Sequence, residues 1–194
     1  MRHVLQCPPQ PNPEFQLYRA IDFGYRHPYV LWLMQDDEGH IMAYDEWVGK
    51  DRTTEEMLHA INTKDLSHGI TEINIEWTAC DPAGAAVQDS GLSPVDILRH
   101  RGLKTKFRNS KISPGIECVK QALRDARDRT TLFISPRCTQ LIADFRRYKW
   151  DAGKEEPLKD GLSDHSLDAL RYFFVNLESP EEKLYMPRIA GVAR

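Results

Sequence analysis

The sequence lacks the cysteine spacings that hold small secreted or zinc-binding folds together. Its four cysteines stand at positions 7, 80, 118 and 138, and no two of them form a CxxC pair. This argues against a disulfide framework and against a structural zinc site. The sequence also has no apolar run near the ~20 residues that cross a bilayer, and its start has no apolar core of signal-peptide length. We therefore expect a cytosolic protein with no membrane partner.

A strong basic excess is missing as well. The 194 residues include 26 Lys and Arg against 29 Asp and Glu, which gives a formal net charge of −3. A domain that bound DNA tightly by itself would usually be more basic. The charge is uneven, however, because the segment 99–111 holds six Lys or Arg and no acid. The length is ordinary for one domain that buries its own core.

Periodicity and turn signals predict where the chain forms strands and helices. Three antiparallel strands are predicted at 16–23, 29–34 and 41–48. Helices are then predicted from Thr53, near 93–102, and at 113–127, 139–148 and 164–177, alternating with strands at 73–80, 103–108 and 131–134. This order predicts an α/β fold with a mixed sheet and helices on its faces. Residues 1–15 are predicted to be an extended lead-in or linker and 178–194 a flexible tail.

Four aspartates occupy positions where a negative charge is unfavourable or points to a ligand. Asp22 lies in an apolar strand, and Asp81 follows the last residue of another strand. The carboxyl ends of parallel strands are where ligands bind in open sheets. Asp164 and Asp168 are four residues apart on a predicted helix, so they share one face and repel each other unless a cation lies between them. Turn initiation and helix capping are the structural alternatives for these residues.

Carboxylates from two strands and a closing helix can converge at one edge of a sheet. Oxygen-only ligands favour Mg²⁺ or Mn²⁺ over zinc. Two such ions roughly 3.5–4 Å apart can activate a water molecule and stabilise the leaving oxygen of a phosphodiester.

Three segments carry a resemblance to a known family. They are Ala20-Ile-Asp-Phe-Gly-Tyr25, Ala79-Cys-Asp-Pro-Ala83 and Asp164-His-Ser-Leu-Asp-Ala-Leu-Arg-Tyr172. Together they resemble the nuclease domain of the large terminase subunit of tailed bacteriophages, over roughly residues 17–176. The last segment, of the form Asp-His-x-x-Asp-Ala-x-Arg-Tyr, is the most specific of the three.

The resemblance implies an RNase H-like fold over residues 16–177 and a two-metal endonuclease that cuts viral DNA during packaging. Asp22, Asp81 and Asp164 match the family's catalytic positions, and Asp168 matches a further metal-holding position. We expect His165 to position these carboxylates without binding the metal itself, or to be structural. Family members usually carry an ATPase motor domain, but this sequence has no Gly-x-x-x-x-Gly-Lys-Ser/Thr phosphate loop. We therefore expect a cutting domain that works with a separate motor, a small terminase subunit and a portal in the host cell cytoplasm.

Basic residues indicate how duplex DNA would be held. In the alternating segment 103–108, Lys104, Lys106 and Arg108 share one face, with Lys111 close behind. Lys159 precedes the acidic helix. No feature suggests that base edges are contacted, so we expect weak, salt-sensitive and sequence-independent binding.

Three alternatives remain open from the sequence. A junction resolvase or integrase core shares the carboxylate chemistry and would prefer branched DNA. A sugar-kinase or actin-like ATPase shares the Ile-Asp-Phe-Gly pattern but needs a second lobe. In a non-catalytic module that docks on a portal or motor, the aspartates would be structural.

Overall fold

A computed structural model describes residues 2–24, 26–87, 91–147 and 165–177. The strands of the described part are β1 (Gln16–Asp22), β2 (Tyr29–Gln35), β3 (Ile41–Val48), β4 (Ile75–Cys80), β5 (Thr105–Lys106) and β6 (Leu132–Ile134). The helices are α1 (Thr54–Ser67), α2 (Pro94–His100), α3 (Ile112–Leu123), α4 (Thr139–Arg147) and α5 (His165–Leu177), with a short 3₁₀ turn at Pro82–Ala85. The predicted tail 178–194 lies outside the described residues.

The six strands form one mixed sheet in the order β5-β4-β1-β2-β3-β6. β1, β2 and β3 pair antiparallel, while β4, β5 and β6 join in parallel. β1 is central, and its end at Asp22 lies beside the end of β4, because Ile21 pairs with Cys80. The predicted mixed sheet is confirmed. Its topology brings Asp22 and Asp81 together where the carboxyl ends of β1 and β4 meet, and we call this side of the sheet its carboxylate edge.

Helices cover both faces of the sheet, as predicted. On one face, α1 and α2 pack against side chains such as Ile21 and Trp32. On the other face, α3, α4 and α5 pack against side chains such as Ala20 and Leu31. Since both faces of the central strands are buried, β2 is almost continuously apolar, which is typical of a doubly covered sheet.

Several predicted elements are shorter in the structure, among them α3, β4 and β5. α3 ends at Leu123 instead of Arg127, because the Asp125 carboxylate accepts the backbone N–H groups of Arg127 and Arg129 and turns the chain. β4 starts at Ile75 instead of residue 73, after a turn at 71–74. β5 has only two residues, since β4 ends one residue beyond the last pair of the ladder.

The first residues contact the sheet rather than leading straight into β1. Val4 pairs in parallel with Ile134, and the Leu5 N–H donates to the Ile134 carbonyl at 2.9 Å. All four cysteines are free thiols, as the sequence predicts. In the described part of the chain, no helix combines the length and apolar character required to cross a membrane.

Candidate active site

Asp22 occupies the last position of the central strand and is 5% exposed. Burial raises the pKa of its carboxyl from 3.8 to about 6, against the opposing effect of a hydrogen bond with His165. His165 Nδ1 lies 2.6 Å from Asp22 Oδ2. A carboxylate held this way at a strand end is costly to ionise unless a cation is close.

Asp81 lies next to Asp22 because β4 is the parallel neighbour of β1. The Asp81 N–H donates to the Ile21 carbonyl at 3.1 Å. Its Oδ1 accepts the N–H of Ala83 at 2.9 Å, which caps the 3₁₀ turn. That turn comes so close to β1 that a methyl group on Gly84 would lie 2.2 Å from the Phe23 ring. The missing side chain at Gly84 therefore allows Asp81 to reach the edge where Asp22 lies.

Asp168 reaches the same edge from the first turn of α5. Its Oδ1 accepts hydrogen bonds from Nε and from Nη2 of Arg171, each at 2.9 Å. The Arg171 guanidinium lies over the Tyr172 ring, with its central carbon 4.5 Å from the ring centroid. The aliphatic stem of Arg171 passes Gly115, where an added methyl group would lie 2.7 Å from Cγ. Asp168 is thus fixed by an arginine that is itself packed on two sides.

The other two carboxylates act electrostatically on Asp22. The charges of Asp168 and Asp81 both raise the pKa of Asp22. Burial is the main cause that raises the pKa of the Tyr172 hydroxyl, and the charges of the same three carboxylates raise it further. Three like charges that share a site fit a divalent cation with oxygen ligands. Among the described residues, no three His, Cys, Asp or Glu side chains are grouped closely enough to hold an ion.

Two predicted site residues cannot be placed. Asp164, the predicted third catalytic carboxylate, and Lys159 lie outside the described residues. The described part of α5 brings Asp168 to Asp22. His165 contacts Asp22, and its supporting role stays a prediction; the ring of His27 lies 5.7 Å from the His165 ring, centroid to centroid. His27 was missed because nothing in its sequence neighbourhood signals this contact.

The basic residues of the predicted DNA-contacting face are partly engaged with the domain itself. Lys104 Nζ donates to the Ile75 carbonyl at 2.6 Å. Lys106 Nζ donates to the Asn176 carbonyl at 2.7 Å and lies over the Trp77 ring. Arg108 and Lys111 follow β5 and are exposed. Their contact with DNA remains a prediction.

A buried hydrogen bond behind the site was not foreseen. The Ser166 hydroxyl donates to Asp144 Oδ2 at 2.6 Å, and both residues are essentially inaccessible to solvent. Gln140 donates to the other oxygen of Asp144 at 2.8 Å. This contact fixes the start of α5 against α4, beside His165. The position of Asp144 on the apolar face of an amphipathic helix is the one feature of the sequence that indicates a buried hydrogen bond here.

The sheet order, the helices on both faces and the aspartates at the ends of β1 and β4 define an RNase H-like domain. Within that class, residues 19–177 match the family described as the Terminase RNaseH-like domain, and the chain belongs to this family. The predicted family and fold are therefore confirmed. A comparison with curated protein sequences gives no match.

Solved structures of terminase nuclease domains share the fold. The nuclease domain of the P22 large terminase superposes with a TM-score of 0.69 at 17% identity, covering 95% of this chain and 90% of that one. The g2p nuclease domain of bacteriophage SPP1, solved with bound Mn, gives 0.62 at 12% identity, covering 89% and 96%. The large terminase nuclease of thermophilic phage G20c, solved with bound magnesium, gives 0.54 at 12% identity, covering 84% and 82%.

Proposed function

We propose that the chain is the divalent-metal-dependent endonuclease domain of a viral DNA-packaging terminase. It cuts duplex DNA by two-metal-ion hydrolysis of phosphodiester bonds, with little sequence specificity. The observation that carries the proposal is the convergence of Asp22, Asp81 and Asp168 at one sheet edge, where β1 pairs with β4 and where His165, at the start of the helix that carries Asp168, contacts Asp22. The metals bound by the SPP1 and G20c domains support it.

Each carboxylate uses one oxygen to fix its own position. Asp22 Oδ2 contacts His165, Asp81 Oδ1 accepts from a backbone N–H, and Asp168 Oδ1 accepts from Arg171. We assign the second oxygen of each carboxylate to the metal site, with Mg²⁺ or Mn²⁺ as the ion. Asp164 directly precedes α5 and remains a candidate ligand from the sequence.

The bound ions would activate a water molecule and neutralise charge on the phosphate. The protein residues orient the ligands for this chemistry. His165 holds the Asp22 carboxylate in place, and Arg171 does the same for Asp168. Removing supporting groups of this kind typically costs 10–100-fold in metal affinity or activity.

Plasmid digestion tests the proposal directly. Wild type is compared with Asp22→Asn, Asp81→Asn, Asp164→Asn and Asp168→Asn in Mg²⁺, in Mn²⁺ and in EDTA. A lost metal ligand removes several kcal/mol of transition-state stabilisation, so cleavage should fall about 100-fold or more. Asp37→Asn is the matched control, because Asp37 is exposed in the hairpin between β2 and β3, at the opposite edge. Unchanged cleavage by Asp22→Asn would refute the proposal.

The proposed binding partners are supported by membership of the family and not by the geometry of the site. Membership of the terminase family supports double-stranded DNA as the substrate and an ATPase motor domain as the partner in packaging. It also favours the terminase function over a junction resolvase or integrase core. The small subunit, the portal and a location in the host cytoplasm belong to the same proposal. Preference for branched over linear duplex in the digestion assay would reverse this choice.

A further inference from the structure

A cavity of about 380 Å³ opens beside Asp81, on the face of the sheet that α1 and α2 cover. Its lining is partly apolar, with Phe23, Met57 and Ile97 forming what we name the apolar floor, and Arg52 also lines it. The volume falls in the range of small-molecule sites, which are about 300–1,000 Å³. The cavity is therefore large enough for one nucleotide.

Asp81 belongs both to this cavity and to the carboxylate site. Asp22 and Asp168 lie toward the α5 face of the sheet, whereas the cavity lies on the α1 and α2 face. Because Asp81 lines the cavity, a DNA strand whose phosphate sits at the carboxylates would bring its neighbouring nucleotide next to the cavity.

We propose that this cavity receives the nucleotide next to the cleaved phosphodiester, with Arg52 contacting the backbone phosphate of that nucleotide. The inference rests on the proposed nuclease function and adds the path of the strand. The apolar floor suits a sugar and the face of a base, and a guanidinium suits a phosphate.

Arg52 can exchange its present partner for a phosphate. Its Nη1 lies 2.8 Å from Oε1 of Glu56, and the two side chains are 53% and 47% exposed. Exposed pairs at this helical spacing are weak. Glu55 also lines the cavity, but its carboxylate is paired with Arg101 at 3.1 Å.

Backbone hydrogen bonds hold the segment before Arg52 against the segment that follows Asp22. The Gly49 N–H donates to the Pro28 carbonyl at 2.8 Å, and the Asp51 N–H donates to the Arg26 carbonyl at 3.1 Å. These bonds fix Arg52 at the same edge as the carboxylates. Lys104 and Lys106, by contrast, already donate to carbonyls of the domain.

Two variants test the cavity. Arg52→Gln removes the cation, and Ala83→Trp fills the cavity from an exposed position on its lining. Arg127→Gln is the matched control, since Arg127 is exposed in the turn before β6, at the opposite edge. Affinity for a fluorescent DNA duplex is measured by anisotropy over a range of salt, with Ca²⁺ replacing Mn²⁺ to slow cleavage. Thermal melting and Mn²⁺ titration of each variant establish that it is folded and binds metal.

Arg52→Gln should weaken binding by about tenfold and reduce the slope of log K against log salt by roughly one, as for the loss of one phosphate contact. Ala83→Trp should lower both affinity and cleavage, while Arg127→Gln should match wild type. If wild type cuts DNA and both cavity variants bind and cut as well as wild type, the cavity proposal is overturned and the nuclease function stands. If wild type does not cut but both variants bind DNA more weakly, the nuclease function is overturned and the cavity remains a DNA site.

Discussion

The buried carboxylate of Asp22 predicts an unusual effect on the stability of the metal-free protein. Burial raises its pKa from 3.8 to about 6. The folded protein therefore holds the proton more tightly than the unfolded chain does. Stability linked to this group is fully present below about pH 4 and is lost as the pH rises through 6. The shift spans about two pKa units at ~1.36 kcal/mol each, so on the order of 3 kcal/mol is lost by pH 8.

Asp22→Asn removes the ionisable group but leaves an oxygen for His165. We expect this variant to be more stable than wild type at pH 8 in EDTA, by about 1–3 kcal/mol in urea unfolding. At pH 4 the difference should vanish. With Mn²⁺ the order should reverse, because only wild type gains stability from binding the ion. A variant that is equally stable or less stable than wild type at pH 8 in EDTA would show that Asp22 bears no burial penalty.

Asp45→Asn is a control of opposite sign. Asp45 is also buried, which raises its pKa, but hydrogen bonds with Lys64 and His68 and the charge of Lys64 outweigh burial and lower the pKa. Its carboxylate therefore stabilises the fold above the unfolded pKa, and this contribution disappears as the pH falls through the folded pKa. Asp45→Asn should destabilise the protein at pH 8, so the two variants together exclude a general effect of removing a negative charge.

Three further outcomes follow from the contacts around the site. Gly115→Ala places a methyl group 2.7 Å from Arg171 Cγ, which should lower the stability by ~1–3 kcal/mol in calorimetry and displace Arg171 from Asp168. A Mn²⁺ titration of this variant that matches wild type would disprove the coupling of Gly115 to the metal site. Ser166→Ala deprives the buried Asp144 of one hydrogen-bond donor and should cost about 1–3 kcal/mol in urea unfolding, with an unchanged midpoint counting against it. EDTA should abolish cleavage, and the isolated domain should recover weak activity only at high Mn²⁺; robust cutting in EDTA would contradict metal dependence.

The sequence allowed much of the fold to be predicted because burial on both faces leaves a strong pattern. The apolar runs of β1, β2 and β4 end at turn signals, and Asp22 and Asp81 stand at two of those ends. The capping box that starts α1 is equally local, since Thr53 and Glu56 are three residues apart. Patterns of this kind involve residues that are close in the sequence and do not depend on tertiary contacts, so they can be recognised from the residues alone.

The contacts that fix the site could not be predicted in the same way. Gly115 contacts Arg171, and His27 lies beside His165, only because distant elements pack together. The contact between Arg171 and Asp168 could be predicted, because residues three apart on a helix are neighbours. For Lys106, the alternation predicted a side chain that faces away from Leu103 and Phe107, but the Asn176 carbonyl to which its amine donates is a tertiary contact.

The carboxylate edge draws its three members from the beginning, the middle and the end of the described chain. Asp22 and Asp81 meet as soon as β1 and β4 pair, but Asp168 joins them only when α5 has docked on the sheet. During synthesis, the ribosome makes α5 after every other described element. The proposed metal site is therefore incomplete in a nascent or interrupted chain, and under the proposed nuclease function the cutting centre forms only when the whole domain has been made.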